Sequence, residues 1–182
     1  MSLPARAALP LAYLSLLFSG AMFGLFYAGV VPLVAGLGDT DPRGAVEVLR
    51  VMNAALGSPV FGPVFFGAPF VLLFTAAAAL ALDRRAAWSF AVAGVVSLVG
   101  GLILTATTDI QMAEAMGAFR GATGAEAAAL WAEVSPRFLG FNLTRSAAGG
   151  LTLLLAGRGL WRLGRVRSHH RVDAARAGHS LS

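Results

Sequence analysis

The stretch RFLGFNLTRSAAGG, residues 137–150, decides how this chain is to be read. Most of it suits lipid, yet it holds Asn142 and Arg145. A guanidinium cannot be deprotonated, and a charge at the centre of a membrane helix costs about 2.5–3.5 kcal/mol on insertion scales. A compensating group must therefore lie nearby. If this stretch crosses a membrane, it belongs to the last of four apolar runs, 10–34, 59–82, 86–108 and 137–161. Each is long enough for a hydrocarbon core about 30 Å thick, which takes roughly 20 helical residues. The expected fold is all-α, an integral membrane four-transmembrane-helix bundle over residues 1–163, with a basic tail over 164–182 read as disordered.

Composition agrees with that reading. The 182 residues are 57% hydrophobic and 13% charged, about half the charge of an ordinary soluble domain, near 25%. All 14 basic residues are arginine, which points to high-GC coding in a bacterium. The formal charge of +5 raises the question of nucleic acid. Six arginines, Arg158, Arg162, Arg165, Arg167, Arg171 and Arg176, lie at the end of the last run or beyond it. Topology and anionic lipid headgroups explain such a juxtamembrane tail better than nucleic acid does. With no cysteine, disulfides and thiolate chemistry are excluded.

The N-terminus has Arg6, an apolar stretch and a small Ser19-Gly20-Ala21 site, as a signal peptide would. The run continues without a charge to Asp39, longer than such a peptide needs, so it reads as a retained first helix. Arg6, the Asp83-Arg84-Arg85 turn and the arginine tail then mark one side. The positive-inside rule makes that side cytoplasmic and predicts a multi-pass protein of the bacterial inner membrane with both termini inside.

Connections 35–58 and 109–136 face outward on this topology, and both carry helix signals. Asp41 is a good N-cap followed by Pro42, and Ala45, Leu49, Met52 and Leu56 fall on one face at helical spacing. Asn53 points toward that apolar side. Thr123-Gly124-Ala125-Glu126 has the capping-box pattern and predicts a short helix carrying Leu130, Trp131 and Val134. Ser135-Pro136 and Ser58-Pro59 then read as the starts of the fourth and second membrane helices. Within the membrane, Gly20/Gly24, Ser97/Gly101 and Ala147–Gly150 predict close helix contacts. Pro63 and Pro69 predict a kink in the second helix.

Asn142 and Arg145 are three apart and share a helix face, which should look inward. Thr144 adds a hydroxyl. Candidate partners are Thr105, Thr107, Thr108 and Asp109, with Glu47, Glu133 and Tyr27 in range of the same region. Two readings stand side by side. Arg145 is a strut that pairs with Asp109 or with helix-end carbonyls, or Arg145 and Asn142 hold a ligand with negative charge in a dry site. Tyr13, Tyr27, Trp88 and Trp161 read as interfacial aromatics. No histidine lies in an apolar run, and His169, His170 and His179 in the tail make a poor metal site, so no metal is expected.

The order of GLFYAGVVPL (24–33), VLRVMNAALGSPVF (48–61), TATTDIQMA (105–113), Trp131 and FNLTRSAA (141–148) resembles the anthrone-oxygenase-like family of small four-helix membrane proteins. The likeness covers about residues 12–157, and the Asn142-x-x-Arg145 pair after Trp131 is its most specific part. The chain departs from the family pattern N-x-P-x-N at Asp109-Ile110-Gln111-Met112-Ala113. The resemblance implies an oxidoreductase that converts an anthrone, or a similar hydrophobic aromatic polyketide, to its quinone with dioxygen as co-substrate and no cofactor. It further implies that Arg145 and Asn142 hold the substrate anion and Asn53 orients the ring. Asp109 would act as the base, Phe141 and Trp131 would stack on the ring, and Tyr27 and Thr108 would border the site. The competing class is a non-catalytic lipid- or quinone-binding or accessory membrane protein, which needs only the strut.

Overall fold

A computed structural model describes residues 3–34, 41–45, 47, 58–59, 62–107 and 124–179. Among them there is no strand, and helices account for nearly all of these residues. Helix α1 spans Leu3–Val34, α2 spans Gly62–Ala79, α3 spans Arg84–Thr107 and α4 spans Gly124–His179. Helix α1 packs on α2 and α4, and α3 packs on α2 and α4, so the four close into a ring. Sequential neighbours run antiparallel, and the short connection between α2 and α3 favours this for that pair.

Each helix end has a local cause. Helix α1 begins before the expected residue 10 because Ala8, fully buried, packs in one cluster with Ala86 and Leu163 and carries the helix down to the end of the bundle. Ser58 and Pro59 form a turn ahead of α2, with the Gly62 amide donating to the Ser58 carbonyl at 2.7 Å, the bond that an N-cap carbonyl accepts. Pro63 therefore sits in the first turn, where no intrahelical bond is lost, and Pro69 lies buried in the helix interior. Asp83 starts α3 one residue after a tight turn. Its carboxylate accepts from the Arg85 amide at 2.9 Å in extended N-cap geometry, the arrangement by which Asp satisfies a helix's first free amides.

The largest departure from the sequence reading is α4. Pro136 does not open a new helix; it lies inside one that begins at Gly124. The reason is a single inward stripe, Ala127, Trp131, Phe138, Asn142, Arg145, Gly149, Thr152, Ala156, Gly159 and Leu163, all buried. From 127 to 163 is 36 residues, ten turns at 3.6 residues each, with no break of phase at Pro136. The backbone also stays helical through His179, where disorder was expected. That segment is rich in arginine and alanine, both strong helix formers. The Asp41 cap forms as read: Asp41 accepts from the Arg43 amide at 3.2 Å, and Ala45 is buried.

Helix α3 contains a feature with no local signal in the sequence, a π-helical segment from Ser97 to Ile103. It keeps Ser97, Gly101 and Thr105, spaced four apart and all buried, on one inward line. In a regular α-helix a four-residue step overshoots a full turn, so this line would drift away from the neighbouring helices. Packing explains the glycines. A Cβ at Gly100 would lie 2.5 Å from Ala148 Cβ, and one at Gly149 would lie 3.1 Å from Phe23 Cα. The small patch Ala147–Gly150 is thus a true close contact, to both α1 and α3. The Gly20/Gly24 pair is not: at Gly24 nothing lies within 4 Å.

The core has two parts. An alanine-rich cluster around Leu72, Phe90 and Leu163 fills the Asp83 end. Met22, Phe26, Phe65 and Ala68 fill the other, where Phe26 and Phe65 meet edge to face at 6.4 Å. Between them Ser15 Oγ and Thr75 Oγ1, both fully buried, lie 2.8 Å apart and join α1 to α2. Among the described residues three helices are long and apolar enough to cross a membrane, over Arg6–Val31, Gly62–Ala79 and Arg84–Thr107. Helix α4 falls short of that apolarity, and Asn142, Thr144 and Arg145 are the polar residues that interrupt it.

Candidate functional site

Asn142 and Arg145 sit on the inward stripe of α4, each only 5% exposed. Neighbouring contacts fix the direction of each. Arg145 lies three residues before Ala148, which abuts Gly100 of α3; Asn142 lies seven before Gly149, which abuts Phe23 of α1. Three and seven residues are close to one and two whole turns. Asn142 therefore faces α1, and Arg145, three residues before Ala148 and four before Gly149, faces the seam between α3 and α1. Ser146, beside Arg145, is buried with its hydroxyl making no hydrogen bond.

The donors here are concentrated and partly committed. Asn142 donates one amide hydrogen to the Phe138 carbonyl at 2.9 Å, leaving its second N–H and its Oδ1 directed elsewhere. Arg145 is an engaged side chain, while its Nε is buried and takes no hydrogen bond. A guanidinium has five N–H donors in a fixed fork, so one contact does not exhaust it. Such an array, held away from water, stabilises a developing oxyanion far more than the same groups in solvent.

The other sequence candidates separate. Trp131 is buried on the same stripe, 6% exposed, but stands about 16 Å along the axis from Asn142 at 1.5 Å per residue. One tricyclic ring cannot touch both, so stacking by Trp131 on a ring held at Arg145 is excluded by distance. Phe141 is half-buried, next to the stripe. Tyr27 is 54% exposed and stacks at 5.8 Å on Phe23, the residue of α1 that meets Gly149. Thr144 is exposed and donates to the Gly140 carbonyl at 2.9 Å, so its hydroxyl belongs to the outer face. Glu47 and Glu133 are exposed. Asp109, Thr108 and Asn53 lie outside the described residues.

Thr105 is the residue that sequence reasoning underweighted. It is 2% exposed, donates to the Gly101 carbonyl at 2.6 Å, and is aimed inward by the π segment. Thr107, its neighbour in the sequence list, is exposed and bonds to its own helix. Burial of Thr105 depends on the π segment, which residue spacing does not announce. Among the described residues no group of three or more His, Asp or Glu side chains could hold a metal ion.

No family model, curated protein or solved structure matches the chain. What the site does must be argued from its residues.

Proposed function

We propose that the chain is a four-span bacterial inner-membrane protein of the anthrone-oxygenase type. In this reading the inward face of α4 holds the anion of a flat hydrophobic aromatic at Asn142 and Arg145. The observation that carries it is the burial of both side chains on a helix whose outer face presents Leu143, Leu151, Leu154 and Trp161 to the surroundings. Polar groups inside and large apolar groups outside invert the pattern of a water-soluble helix. Tyr13, Leu17, Phe66, Phe70, Phe74, Val92 and Val95 extend the exposed apolar surface over the other helices, well beyond what soluble monomers show. Lipid would supply the solvent for that belt, α4 included. The start of α1 lies at the arginine-rich Asp83 end, where Ala8 packs with Ala86 and Leu163, and the positive-inside rule would make that end cytoplasmic.

The chemistry asks little beyond such a site. An anthrone has an acidified methylene, and a base that removes one proton leaves an anion delocalised onto oxygen. Arg145 N–H groups would hold that oxygen, and Asn142 would orient it through its remaining N–H and Oδ1. The electron-rich anion reduces dioxygen and forms a carbon–oxygen bond at the former methylene. Loss of water from the resulting hydroperoxide leaves the quinone. One oxygen atom stays as the new carbonyl, and the other leaves as water with both methylene hydrogens. Asp109 is the sequence candidate for the base and Asn53 for ring orientation. Phe141, bordering the stripe, is the aromatic nearest to Asn142 along α4.

The test is quinone formation by purified protein in detergent, supplied with an anthrone under air. Wild type should exceed the spontaneous rate. Arg145→Ala, checked for retained helicity, should lose about 10²–10³-fold, as removal of an oxyanion donor does. Wild-type rates equal to the spontaneous rate would sink the assignment. A second reading is favoured by the engaged state of Arg145: a non-catalytic bundle in which Arg145 is a strut. It predicts no turnover and a large loss of stability in Arg145→Ala.

A further inference from the structure

Roughly 25 Å along α4 from Arg145, at 1.5 Å per residue, the Asp83 end carries charges that the site at Asn142 does not use. Arg162 Nη1 lies 3.9 Å from Asp83 Oδ2. That bridge sets the turn bearing Arg84 and Arg85 against the part of α4 bearing Arg158 and Arg165. Arg6 is at the same end, two residues before Ala8, which shares a buried cluster with Ala86 and Leu163. Over residues 3–11, 80–90 and 156–166, six arginines meet one carboxylate, Asp83. Arg84, Arg85, Arg158 and Arg165 are all exposed.

Two exposed tryptophans border this charge, Trp88 at 64% and Trp161 at 56%. Trp88 is one turn from Arg84, and the Arg165 guanidinium lies over the Trp161 ring at 4.2 Å. From Trp88 the exposed side continues through Val92, Val95 and Val99, and from Trp161 through Leu154 and Leu151. On α4 two exposed arginines, Arg165 and Arg158, flank Trp161 before the aliphatic row begins; on α3 the order is arginine, tryptophan, aliphatic. That is the order of headgroup, interface and hydrocarbon in a bilayer.

We infer that the Asp83 end is a binding surface for anionic phospholipid, with phosphates held among Arg84, Arg85, Arg158 and Arg165 and with Trp88 and Trp161 at the interface beside them. The surface is built by the α2–α3 turn together with α4 up to residue 165, so it joins Arg84, Arg85 and the two tryptophans to the α4 arginines for which the sequence already favours headgroups. It rests on the membrane part of the proposed function and not on its chemistry. A soluble polyanion would account for the arginines but not for the tryptophans or the aliphatic rows that continue from them.

The chain has three tryptophans, and Trp131→Phe removes the one at the opposite end, leaving Trp88 and Trp161 as reporters. Full-length protein in that background is reconstituted into phosphatidylcholine vesicles holding a minor fraction of brominated lipid, either phosphatidylglycerol or phosphatidylcholine. Brominated phosphatidylglycerol should quench the tryptophans more strongly. Arg158→Gln and Arg165→Gln, both at exposed positions, should each lower that preference about fivefold at low salt, and added salt should lower it further. Equal quenching by the two lipids, or an unchanged preference in the double variant, overturns the inference while leaving the membrane reading intact. Quenching by neither lipid overturns both. Equal quenching together with retention on immobilised heparin would assign the surface to a soluble polyanion instead.

Discussion

Gly100→Ala is the sharpest test of how α3 meets α4. The added Cβ would lie 2.5 Å from Ala148 Cβ, against 3.4 Å for ordinary contact. Both atoms are fixed to backbone, so no rotamer change relieves the clash. The helices must part by about 1 Å or the π segment must shift, and overpacking of this kind typically costs about 1–3 kcal/mol. Ala148→Gly in the same chain removes the opposing methyl. The double variant places one glycine and one alanine as before, only exchanged between helices. Their helix propensities differ by about 0.8–1.0 kcal/mol, and the two changes offset, so its stability should return near wild type. The assay is reversible unfolding in mixed detergent micelles with increasing dodecyl sulfate, followed by far-ultraviolet circular dichroism. A single variant within about 0.5 kcal/mol of wild type, the usual scatter for inconsequential substitutions, would refute the packing, as would a double variant no more stable than the single one.

Gly24→Ala should behave oppositely: nothing lies within 4 Å of the new methyl, so the same unfolding assay should show no loss, or a gain of up to about 1 kcal/mol from helix propensity. Ser15→Ala and Thr75→Val, combined in a double-mutant cycle, should show coupling of about 0.6 kcal/mol and no more than about 1.7, the range for interhelical hydrogen bonds in membranes; zero coupling would mean the Ser15–Thr75 contact holds nothing together. Because the chain has no cysteine, Leu154→Cys gives a single label site at a position 73% exposed. In native vesicles it should resist a water-soluble maleimide and react once detergent is added, while Glu133→Cys, near the outer end of α4, should react from the outside; free reaction at 154 in vesicles would remove α4 from the membrane.

Much of the fold is legible in the sequence because apolarity imposes a crude rule. Long apolar runs become helices, and a lone arginine among them turns inward; the burial of Asn142 and Arg145 is the one that their energetic cost in lipid would impose. Local punctuation is less dependable. Ser135-Pro136 has the chemistry of a helix start, yet the inward stripe runs through it from Ala127 to Leu163, and packing along that stripe overrides the cap signal. Motifs that are only spacings fail for a similar reason. Gly20 and Gly24 have the spacing of a helix contact, but Gly24 faces away, whereas Ala148 and Gly149 meet α3 and α1. Rotation of a helix about its axis decides this, and spacing does not encode it. The π segment at Ser97–Ile103 carries no propensity signal either, because the approach of α4 to Gly100 is a tertiary fact. Hence the burial of Thr105, one of four candidate partners in the sequence, emerges from structure, while Trp131, plausible by position, stands too far from Arg145.

The central claim is that the buried Asn142–Arg145 face turns over an aromatic anion with dioxygen. It is tested most directly by supplying purified protein with an anthrone under ¹⁸O₂ and measuring both rate and label in the quinone by mass spectrometry. The account predicts a rate above the spontaneous one, one ¹⁸O atom in the new carbonyl, and loss of the excess rate in Arg145→Gln. A rate no faster than the protein-free control, or an excess rate that survives Arg145→Gln in a folded protein, would contradict it.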